Sequence, residues 1–125
     1  DETTASRFAW VDIYLDSGAV PLAAYQLELN AESGDFTIVG VEGGDHPAFA
    51  APPFYDPAAL ANDRIILAAY SLDADLPTGP TRVARVHVQI TSDYDPEYVI
   101  NLTAAADAGG RATAATAYAE QGEVQ

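Results

Sequence analysis

A chain of 125 residues with nineteen Asp and Glu against five Arg, no Lys, no Cys and a formal net charge of −14 is sized for one domain and can form no disulfide. So acidic a protein repels phosphate, which argues against nucleic acid and anionic membrane surfaces as partners, and no apolar run in the sequence is long enough to span a bilayer. The carboxylates are spread along the chain rather than gathered in a tail, as expected of a solvated surface kept soluble by like charge. The start at Asp1 has neither an initiator Met nor a signal-peptide pattern, so residues 1–125 read as a single domain excised from a longer protein.

Residues 8–15 form the first expected strand. Ala9, Val11, Ile13 and Leu15 alternate with Phe8, Trp10, Asp12 and Tyr14, and successive side chains on a strand point to opposite faces. A loop follows and ends at Pro21, which has no N–H to give a ladder. Residues 22–30 are the second strand, built on Tyr25, Leu27 and Leu29, and the turn Glu32-Ser33-Gly34-Asp35 leads to a third over 36–41. That third run is apolar on both parities, which predicts cover on both sides. Between Glu42 and Asp63 the residues Gly43, Gly44, Pro47, Pro52, Pro53 and Pro57 interrupt any ladder. Within this Pro-rich loop Asp56 reads as an N-cap and Pro57 as the first residue of one short helical turn. Residues 64–70 are again a strand apolar on both faces.

Past a turn over 73–80, residues 82–90 place Ala84, Val86, Val88 and Ile90 on one face and Arg85, His87 and Gln89 on the other. A second acidic turn over 92–97 precedes the alternating Tyr98, Ile100 and Leu102. At the Ala-rich end, Asp107-Ala108-Gly109-Gly110 is a tight turn, and Thr113, Thr116 and Tyr118 favour strand, so the end reads as a hairpin. Short alternating runs separated by turn signals predict an all-β, antiparallel sandwich. Its expected core is Val11, Ile13, Leu27, Leu29, Ile65, Leu67, Val86, Val88, Ile100 and Leu102.

Three stretches, taken in order, resemble the cohesin domain. Pro21-Leu22-Ala23-Ala24-Tyr25-Gln26-Leu27-Glu28-Leu29 is similar to an early cohesin strand. Arg64-Ile65-Ile66-Leu67-Ala68-Ala69-Tyr70-Ser71, the turn at Thr78-Gly79 and Val83-Ala84-Arg85-Val86-His87-Val88 resemble a later strand–turn–strand. Ile100-Asn101-Leu102, the Asp107–Gly110 turn and Gly122-Glu123-Val124 resemble the final hairpin. The resemblance implies a jelly-roll β-sandwich of about nine strands, related to carbohydrate-binding modules. It implies a non-catalytic, extracellular or cell-envelope module that scaffolds by binding a protein, in cohesins the calcium-loaded dockerin. A polysaccharide ligand is the alternative.

The chemistry-bearing residues fit a binding module better than an enzyme. No Ser lies in a nucleophile-elbow pattern and Cys is absent. His87 sits on a wet strand face, and His46, in Gly44-Asp45-His46-Pro47, reads as a loop residue hydrogen-bonded locally. Asp73, Asp75, Asp93, Asp95 and Glu97 lie in two turns that would have to meet to hold calcium. Asp building turns accounts for them without a metal, and no metal or other cofactor is expected. The preferred partner surface is Arg85, His87 and Gln89; the rival, suited to a sugar ring, is the aromatic row Phe8, Trp10 and Tyr14.

Overall fold

The computed structural model describes residues 6–60 and 62–123. Seven strands form: β1 (Arg7–Asp16), β2 (Ala24–Ala31), β3 (Phe36–Gly43), β4 (Ile65–Tyr70), β5 (Pro80–Ile90), β6 (Tyr98–Ala106) and β7 (Thr116–Glu123). Two 3-10 turns, Pro47–Phe49 and Pro57–Ala59, lie in the Pro-rich loop. The second begins as its sequence dictates, with Asp56 capping the N–H of Ala58 through Oδ1.

The strands build two antiparallel sheets, a four-stranded one ordered β3-β5-β1-β7 and a three-stranded one ordered β4-β2-β6. Strands consecutive in sequence alternate between the sheets throughout, so every connection crosses the sandwich. Seven strands therefore replace the nine expected, and the expected terminal hairpin does not form. Its turn does form: Asp107 Oδ1 accepts from the N–H groups of Gly109 and Arg111, both at 2.9 Å, and Gly110 adopts a φ of 81°. That turn closes only the single bridge Ala106–Ala112, after which the chain leaves the β6 sheet and lays β7 beside β1. Val124 lies outside the described residues.

The dry faces meet between the sheets. Val11, Ile13, Leu27, Leu29, Ile65, Leu67, Val86 and Val88 are buried as expected, joined by Leu15, Leu22, Ile38, Val83 and Ile90. Ile100 and Leu102 pack against this core but are only half-buried, because β6 is an outer strand with one neighbour. The expectation of cover on both sides fails for β3, and β4, also apolar on both faces, is likewise covered on one side only. Val39, Ile66 and Tyr70 are exposed, since each strand is the edge of its sheet and only one face meets the core.

Two bulges in the four-stranded sheet reset parity. The β1–β5 register passes from Ile13–Ala84 to Tyr14–Arg82, leaving Val83 over, and Val83 and Ala84 both point inward. The β3–β5 register passes from Ile38–Val88 to Gly40–His87, leaving Val39 over. An extra residue reverses the facing of all that follows. Arg82 and Glu42, which simple alternation from Val88 and Ile38 would turn inward, are thereby set on the outer face.

Candidate functional site

The outer face of the four-stranded sheet carries both sets of residues singled out in the sequence. Phe8 stands opposite Gln89, Trp10 opposite His87 and Asp12 opposite Arg85. Directly opposed residues share a face, so the two candidate surfaces are adjacent rows of one.

That face is occupied by its own contacts. Arg85 grips Asp12 with both arms of its guanidinium, Nε to Oδ1 at 2.6 Å and Nη2 to Oδ2 at 3.1 Å. Arg82 donates to the same carboxylate at 3.3 Å and reaches Asp45 with its other arm. These hydrogen bonds hold both guanidinium protons more firmly than usual, Asp45 dominating at Arg82 and Asp12 at Arg85. His87 is hydrogen-bonded to Glu42, which keeps the Glu42 carboxyl below its ordinary range. Gln89 donates to the Ser6 hydroxyl at 2.9 Å.

The aromatic row is similarly engaged. The Arg85 guanidinium lies 4.9 Å from the centre of the Trp10 ring. The indole also lies against Gly122 so closely that a Cβ there would come within 2.3 Å of it. Tyr14 is stacked on Tyr118 of β7, centroids 5.1 Å apart and planes 3° from parallel. Phe8 is the row's most open ring.

The loop and turn residues offer no reacting pair. His46 Nδ1 accepts the Ala48 N–H at 3.0 Å, capping a 3-10 turn. Its Nε2 lies 3.8 Å from the Asp75 carboxylate, so both ring nitrogens face local partners. The two acidic turns lie at opposite ends of β5, because one precedes that strand and the other follows it. The supposition that they might meet is thereby corrected. Among the described residues no group of three or more His, Asp or Glu side chains is placed to hold a metal ion.

Sequence reasoning overlooked the outer face of the three-stranded sheet. On β4 Ile66, Ala68 and Tyr70 point outward, with Ile66 48% and Tyr70 64% exposed. Phe54, 69% exposed, extends the sheet by one residue: it exchanges two backbone hydrogen bonds with Ala68, at 2.7 and 3.1 Å, and stacks on Tyr70 with centroids 6.4 Å apart. A recess of about 260 Å³ opens among Pro52, Phe54, Ala69 and Tyr70. Beside this apolar strip the face continues with Ala24, Gln26 and Glu28 of β2 and Asn101, Ala104 and Ala106 of β6. Glu28 pairs with Arg64. The signal was present in the two-sided apolar run over 65–70; what sequence lacked was the knowledge that β4 is an edge.

Comparison with solved structures identifies the fold. No family model and no curated protein matches the chain. A chain from the complex of a CaDoc0917 variant with the cohesin CaCohA2, at pH 5.5, aligns over 90% of this chain and 84% of its own, with a TM-score of 0.60 and 12% identity. The seventh ScaB type I cohesin from Pseudobacteroides cellulosolvens aligns over 90% of this chain and 77% of its own, with a TM-score of 0.62 and 10% identity. The sandwich is thus cohesin-like, at identities that establish fold alone.

Proposed function

We propose that this chain is a non-catalytic protein-binding module that docks its partner on the outer face of the three-stranded sheet. One observation carries the choice of face: Phe54, Ile66 and Tyr70 are large apolar side chains exposed together along one edge of a flat sheet face. Exposed apolar patches of this kind mark interaction sites, and rigid aromatic anchors next to a flat floor suit a helix laid across a sheet. The four-stranded face is the weaker choice. A partner binding Arg85, His87 or Gln89 must first break the bonds to Asp12, Glu42 and Ser6.

The cohesin-like fold supports a dockerin-like partner, and with it a scaffolding role for one module of a larger secreted or envelope protein. Calorimetric titration against a panel of dockerins, including CaDoc0917 and dockerin-like sequences from the source organism, tests the proposal. Binding is expected for at least one, weakened tenfold or more by Ile66→Arg and unchanged by Phe8→Ser. Tyr70→Ala is expected to cost about 2 kcal/mol of binding, as a central aromatic anchor does. Retention on a polysaccharide, lost in a folded Trp10→Ala variant, would replace this reading with sugar binding on the four-stranded face.

A further inference from the structure

We infer that Asn101 is an acceptor for N-linked glycosylation, and that a glycan there stands on the docking face. Of the three Asn residues only Asn101 begins an Asn-x-Ser/Thr sequence, Asn101-Leu102-Thr103; Asn30 and Asn62 are followed two residues later by Glu32 and Arg64. The motif occurs by chance in many chains, so its placement decides. Asn101 is exposed on the outer side of β6, a strand with one neighbour, and is reachable from the open flank of the sheet. Its carboxamide makes no hydrogen bond among the described residues, whereas that of Asn62 donates to Ala58 O at 2.7 Å. On the face Asn101 stands opposite Glu28, which is turned to Arg64, while Ala104 and Ala106 further along β6 are short.

The transfer is written as follows. Asn101 Nδ2 forms a bond to C1 of a saccharide activated on a lipid-linked phosphate, the C1–O bond to that phosphate breaks, the phosphate leaves with the bonding pair, and Nδ2 loses one proton. In the folded sheet the Thr103 hydroxyl donates to Gln26 O at 3.0 Å. The transferase therefore reads the sequence before β6 joins β2.

The position has a consequence that rests on the docking face proposed above. Asn101 is opposite Glu28, and Glu28 is opposite Ile66, so glycan and anchor share one row, about 10 Å apart across two strand spacings. A glycan in that row excludes a partner from the β6 half of the face. Glycosylation thus separates docking-competent from docking-incompetent copies.

The test begins with the protein purified from the envelope and secreted fractions of its source. Trypsin cuts after Arg85 and Arg111, releasing the peptide 86–111, which is weighed by mass spectrometry. Sugar-sized increments on this peptide are expected, lost in Asn101→Gln and Thr103→Ala and kept in Thr103→Ser made in the same organism. An unmodified native peptide, or an increment that survives Asn101→Gln, overturns the proposal. For the consequence, the glycosylated protein is expected to bind its dockerin at least tenfold more weakly than Asn101→Gln. Equal affinities overturn the blocking role, while the response to Ile66→Arg in unglycosylated protein judges the face separately.

Discussion

Asp12 is the residue on which the outer four-stranded face depends. It is buried and holds two guanidinium groups. Removing it in Asp12→Ala leaves both without their shared partner, a loss of up to about 3–5 kcal/mol in a fully buried pair. Arg85 remains partly solvated, which lowers the expected cost to roughly 1–3 kcal/mol. Chemical denaturation measures this, and a change in Trp10 fluorescence should accompany it, because Arg85 is released from the indole. Two tyrosines set the alkaline limit. Burial pushes the hydroxyls of Tyr25 and Tyr98 well above the ordinary tyrosine value. A raised folded pKa contributes stability that is intact below the unfolded value of about 10 and is lost as pH rises beyond it. Denaturation midpoints are expected to be level from pH 8 to 10 and to fall above, with a shallower fall in Tyr25→Phe. Tyr98 also has a buried hydroxyl with no hydrogen-bond partner. Tyr98→Phe should therefore be neutral or stabilising by up to about 1 kcal/mol at pH 7, since it removes a polar group buried without compensation.

At the scale of elements, a strand's place in its sheet sets the cost of altering it. Leu27 is fully buried at the centre of the three-stranded sheet, and Leu102 is half-buried on its edge. Leu27→Ala should cost about 2–5 kcal/mol and Leu102→Ala less than half as much under the same denaturant series. Period-two alternation located and oriented β1, β2 and the inner run of β5, while β3 and β4 were read from apolar runs and β7 from strand propensity. It failed at Val39 and Val83, where an added apolar residue looks like more of the same strand. Alternation carried back to Arg82 would turn it inward, away from Asp12, to which it is hydrogen-bonded. It also failed for the terminal turn. Asp107 and Gly110 specify a local reversal but carry nothing about which sheet β7 joins; beside β1 its Gly122 leaves room for Trp10. The proposed docking face was hidden for a related reason. Ile66 and Tyr70 lie in a two-sided apolar run, and their exposure shows only once β4 is known to have one neighbouring strand and a single bridge to Phe54.

For the whole molecule, a net charge of −14 makes the folded state repel itself. Sodium chloride screens that repulsion, so the melting temperature should rise with salt. Calcium chloride at matched ionic strength should add no further rise, given acidic turns at opposite ends of β5; a calcium-specific increment would reveal a cage. A different property of the whole follows from the pairing of the first strand with the last, in which Ala9 stands opposite Glu123. The start of β1 and the end of β7 therefore lie at one pole of the sandwich, about 5 Å apart, the width of a single strand spacing. Tension applied along a parent chain joined at both ends would pull β1 and β7 apart one rung at a time instead of shearing the ladder all at once. A module tethered at these two strands would hang from its backbone like a pendant, with the exposed Phe54–Tyr70 strip on the opposite sheet.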